Sequence, residues 1–350
     1  TASGATTYVW SPATGLSATT GSTVTANPTS TSTYTVVGTD NNGCTASTQV
    51  TVNVNPLPVI SVTPPPAICV GQQTATLTAS GATTYVWSPA TGLSATTGST
   101  VTANPSSTST YTVTGTDNNG CTASTQVTVN VNPLPVISVT PPPAICVGQQ
   151  TATLTASGAT TYIWSPATGL SATTGSTVTA NPSSTSTYTV VGTDANGCTA
   201  STQVTVNVNP LPVISVTPPP AICVGQQTAT LTASGATTYA WSPATGLSAT
   251  TGSTVTANPT STSTYTVVGT DNNGCTASTQ VTVNVNPLPV ISVTPPPAIC
   301  VGQQTATLTA SGATTYVWSP ATGLSATTGS TVTANPTSTS TYTVVGTDNN

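Results

Sequence analysis

The side chains best equipped for chemistry are eight cysteines, two to every 77 residues: Cys44, Cys69, Cys121, Cys146, Cys198, Cys223, Cys275 and Cys300. Cys69, Cys146, Cys223 and Cys300 lie in one unvarying stretch, PPPAICVGQQ, at 64–73, 141–150, 218–227 and 295–304. The others each follow an Asn-Gly pair. A thiol so placed can be a core residue, a nucleophile, a metal ligand or half of a disulfide.

The rest of the inventory narrows the choice. The 350 residues contain no Lys, Arg or His, and the five acidic residues are Asp40, Asp117, Asp194, Asp271 and Asp348, for a net charge of −5. Nucleophilic or acid–base catalysis needs a base beside the nucleophile, and abundant Ser and Thr have none here. The chain therefore reads as no enzyme, with no cofactor. Two cysteines per unit without histidine could complete a four-thiolate zinc site only between units. A lone Asp in a turn falls short of the six to eight oxygens calcium takes, so no metal site is expected. Without cations there is nothing to neutralise phosphate, which excludes nucleic acid as a partner. No run reaches the roughly 18–20 apolar residues that span a bilayer, so no membrane insertion is expected in this stretch. Regularly spaced cysteine pairs with no other chemistry read as disulfides in an oxidising, extracellular setting.

Positioning those cysteines is the task of a repeat. TASGATTY begins at Thr1, Thr78, Thr155, Thr232 and Thr309, which sets the period of 77. The units are 1–55 (incomplete at its start), 56–132, 133–209, 210–286 and 287–350 (incomplete at its end). The chain starts and stops inside a repeat, as a window cut from a longer protein would. A unit this small buries little apolar surface and usually needs a staple.

Within 56–132 the pattern predicts strands at 59–63, 74–80, 84–88, 99–104, 110–117 and 122–132, with Val127, Val129 and Val131 at period 2. The DNNG sequence before Cys121 is a hairpin turn. No segment carries a helical period. Six or seven short strands with one Trp on the third fit an immunoglobulin-like β-sandwich, with Trp10, Trp87, Trp164, Trp241 and Trp318 in the cores. The fold class is all-β: a tandem array of such sandwiches, forming an extended rod with proline-stiffened joints. Differences between repeats test the faces. Val37 is replaced by Thr114, and Val86 by Ile163 and Ala240, all at sites expected to point outward.

The motifs C-x-G, Y-x-W, TYTV-x-GTD and NGC resemble the Ig-like and PKD-like tandem repeats of large secreted and cell-surface proteins of gliding-type Bacteroidota. The resemblance covers every repeat. It implies a stalk of an adhesin or a surface filament, at the cell surface or outside it, with neighbouring repeats and other copies of the chain as partners. Two rival readings remain: a filament subunit polymerised by strand exchange, and an array binding glycans through Trp87 and Tyr85.

Strand order bears on the disulfides. Cys69 precedes the second strand and falls near one end of its sandwich, whereas Cys121 opens the last strand near the other end. Bridged cysteines need Cα atoms within about 7 Å. The favoured pairing is therefore between neighbours, Cys69–Cys198 and Cys146–Cys275. The alternative is within units, Cys69–Cys121, Cys146–Cys198 and Cys223–Cys275, if the proline loop climbs the sandwich.

Overall fold

A computed structural model describes residues 1–349, and no helix occurs among them. In 56–132 one sheet orders Ser61–Val62, Ala75–Ser80 and Thr100–Ala103, with the longest strand in the middle. The facing sheet places Ser109–Thr116 between Thr84–Ser88 and Thr122–Val129. All these pairings are antiparallel. A separate parallel pair joins Ile68–Cys69 to Val131–Asn132, tying the start of the unit to its end. The same arrangement recurs in 133–209 and 210–286.

Alternation decides which side is inside. In Ala75–Ser80 the residues Ala75, Leu77 and Ala79 are buried while Thr76, Thr78 and Ser80 are exposed. The two inner faces complement each other in size. Ala75, Ala79 and Ala103 on one sheet leave room for Tyr85, Trp87 and Tyr111 on the other. The aromatic polar atoms are satisfied locally. Trp87 Nε1 donates to Gly98 O at 2.9 Å, Tyr111 Oη to Thr91 O at 2.9 Å, and Tyr85 Oη to Ala82 O at 2.8 Å. No buried side-chain nitrogen or oxygen lacks a partner among the described residues, as a small core requires. Gly115 is extended, yet a Cβ there would collide with the Ile60 side chain and lie 2.8 Å from Ala82 Cβ.

The outward sites behave as the repeat comparison requires: Val86 is 56% exposed and Ile163 58%. Two local features depart from the sequence pattern. The opening strand is only Ser61–Val62, because Val59 points into solvent and Pro64–Pro66 offer no N–H groups to a ladder. Beyond those prolines, where a loop was expected, the chain forms the two-residue strand Ile68–Cys69. Residues 1–55 form one three-stranded sheet, Thr7–Ser11, Ser32–Thr39 and Thr45–Val52. Residues 287–349 supply strands to both sheets.

Candidate functional site

The parallel strand pair fixes where Cys69 sits. Ile68 N–H donates to Asn130 O at 2.9 Å and Val70 N–H to Asn132 O at 3.1 Å, so Cys69 lies beside the last residue before the linker. This is the trailing end of its unit. A turn follows, closed by Gln72 N–H to Cys69 O at 3.1 Å, with Gly71 at φ +70. That left-handed position suits glycine, which explains the residue after Val70. The turn aims Gln72 away from its own unit. Cys69 N–H donates to Gln73 Oε1 at 3.4 Å.

Cys198 occupies the leading end of the next unit. Asp194 Oδ1 accepts from the N–H groups of Asn196 (2.8 Å) and Cys198 (2.9 Å), shaping the hairpin that precedes the strand Thr199–Val206. The aspartate thus orders a turn; it stands in no cluster of three or more His, Cys, Asp or Glu among the described residues.

The two ends meet in a disulfide. Cys69 is bonded to Cys198 with Cα atoms 5.5 Å apart, and Cys146 to Cys275 with Cα atoms 5.4 Å apart. Cys69, Cys146, Cys198 and Cys275 are all buried, at 1% exposure or less. Beside the first bridge the Gln72 carboxamide clasps Thr199: Nε2 donates to Thr199 O at 2.7 Å and to Oγ1 at 3.1 Å, while Oε1 accepts Thr199 N–H at 3.3 Å. Gln149 and Thr276 repeat this at the second joint, at 2.6, 3.1 and 3.2 Å. Each of these two joints is therefore closed three ways: by the linker peptide, a bridge and an amide clasp.

Cys121 and Cys44 lie at leading ends, and Cys300 in the last PPPAICVGQQ stretch; none of these three is in a disulfide among the described residues. Cys223 holds the place in its unit that Cys69 holds in its own. Of the tryptophans, Trp10, Trp87, Trp164, Trp241 and Trp318 are each at most 5% exposed, inside the sandwiches. Tyr85 is buried as well, so the Tyr–Trp pair offers no open face on which a sugar ring could stack. The glutamines carry a role that the sequence pattern did not assign them. The signal was present: Gln72 and Gln73 are the only long polar side chains of the cysteine stretch.

A family profile described as an Ig-like domain, CHU_C associated, matches residues 211–287. No curated protein matches the chain. Among solved structures, it is similar to a variant of titin domains I67–I69 at 12% identity, covering 66% of this chain and all of that one, with a TM-score of 0.33. The N-terminal eight Ig domains of DSCAM align at 14% identity over 97% of this chain and 64% of that one, TM-score 0.28. The human desmocollin-1 ectodomain aligns at 10% identity over 97% and 89%, TM-score 0.24. From its paired sheets, its repeated cores and the matched profile, the chain is a tandem array of immunoglobulin-like β-sandwiches.

Proposed function

We propose that this array is a structural stalk or fibre segment of a bacterial surface protein, an adhesin or a surface filament, working outside the cell. Its units are the 77-residue periods 56–132, 133–209 and 210–286, with partial periods on either side. The observation that carries the reading is the placement of the bridges, which join 56–132 to 133–209 and 133–209 to 210–286. Such bridges persist in oxidising compartments and hold an array straight where a peptide linker alone would let it bend. A chain without Lys or Arg also gives trypsin-like proteases no site, which suits exposure to the environment. Its partners are then its own neighbouring repeats and, in a filament, other copies of the chain.

Antibodies raised against the repeat test this reading. They should label intact, unpermeabilised cells along extended structures. Labelling only after permeabilisation would contradict it.

A further inference from the structure

The two bridges interlace. In chain order the bonded cysteines run 69, 146, 198, 275, with the first joined to the third and the second to the fourth. The spacing alternates: 25 residues from Cys121 to Cys146 and from Cys198 to Cys223, but 52 from Cys69 to Cys121 and from Cys146 to Cys198.

The short intervals contain only chain that is already extended. From Cys121 the backbone runs through Thr122–Val129 and Val131–Asn132, crosses the proline linker, and continues through Ser138–Val139 to Ile145–Cys146. The bridge then hands over to Cys275, and the strands Thr276–Val283 and Val285–Asn286 continue the line. Such an interval leads from the leading end of one sandwich to the trailing end of the next. Fully stretched, 25 residues reach about 80–90 Å. Two sandwiches end to end already span about 60–80 Å, judged from strand rise and turns. The path has little slack.

We propose that the interlaced bridges weave the closing strand of each unit and the opening strands of the next into a shared tether, so that neighbouring sandwiches take tension together and not one after another. The four strands between the cysteines of 133–209, Ala152–Ser157, Thr161–Ser165, Thr177–Ala180 and Ser186–Thr193, form the shortest covalent link from one bridge to the other. Pulling the oxidised chain therefore loads the bridged strands together, and its final extension is limited by the 52 residues from Cys146 to Cys198. A dithiol removes the device. Each bridge takes two electrons and two protons to give two thiols, and the dithiol becomes a cyclic disulfide.

Interlacing has a numerical signature. Without bridges the chain from end to end is 349 peptide steps. With both, the shortest covalent route goes from Thr1 to Cys69, across to Cys198, back to Cys146, across to Cys275 and on to the end, 195 steps. With either bridge alone it is 220. Losing one bridge thus frees 25 steps and losing both frees 154. Separate loops would instead add.

The test is single-molecule stretching of the full chain held by terminal handles, with remaining thiols blocked. At about 0.35 nm per residue, the unfolded contour length should rise by about 9 nm in C69S/C198S, by about 9 nm in C146S/C275S, and by about 54 nm on reduction with dithiothreitol. A rise of about 36 nm in either double variant, the value for two independent 52-residue loops, overturns the proposal, as does no rise at all. The proposal depends on the stalk reading only for its biological use. Cell labelling can fail while the contour lengths hold, and the reverse.

Discussion

Gln72 and Thr199 are 127 residues apart in sequence, yet one carboxamide engages both the N–H and the C=O of Thr199. The glutamine acts as a one-residue extra strand laid against the next sandwich. This clasp and the adjacent bridge keep the leading end of each closing strand from swinging away at the joint.

Replacing both clasps, Q72A/Q149A, should leave the bridges and cores intact while freeing the N–H groups of Thr199 and Thr276. Hydrogen exchange at those two amides should accelerate severalfold, matching the loss of about 1 kcal/mol per hydrogen bond. Unchanged exchange would show that the clasp contributes nothing.

Trp87→Ala removes the largest buried side chain of the 56–132 core and should cost that unit about 3–5 kcal/mol, read as an early transition in chemical denaturation. The wild-type tryptophan emission should not shift with polysaccharides, since every ring is buried. A shift with any of a broad panel would reopen glycan binding.

Gly115→Ala should destabilise its unit by about 1–3 kcal/mol, because the new methyl meets Ile60 and Ala82 in a packed layer. Thermal melting measures it. Gly120→Ala faces open space and serves as a comparison limited to its strained φ of +81.

Burial pushes the hydroxyls of Tyr111, Tyr188 and Tyr265 above the usual tyrosine value of 10.0. The sign follows from linkage: above about pH 10 the unfolded chain gives up phenolic protons that the folded chain retains, so stability present below that pH is lost as pH rises. Denaturation midpoints should fall on the alkaline side of pH 10. A midpoint that stayed level through that range would contradict the packing of these rings.

Much of this was legible in the sequence because a 77-residue repeat restates each pattern several times. Alternation in TATLTAS and TYVWS placed Leu77, Tyr85 and Trp87 on inner faces, and variation at Val86 marked the outer one. The strand Ile68–Cys69 was not legible. Two residues are too short to show a period, prolines precede them, and their stability comes from Val131–Asn132 some 60 residues away. The clasp escaped for a related reason. Its partner belongs to another unit, and no local spacing records that contact.

Bridges between neighbouring sandwiches, and none within a unit among the described residues, set the outcome of thiol titration of C121S in acid-quenched, denatured chain. Cys121 stands outside the bridges, so its loss should lower the thiol count by one relative to wild type. If Cys121 were bonded within its own unit, the substitution would release Cys69 and raise the count by one.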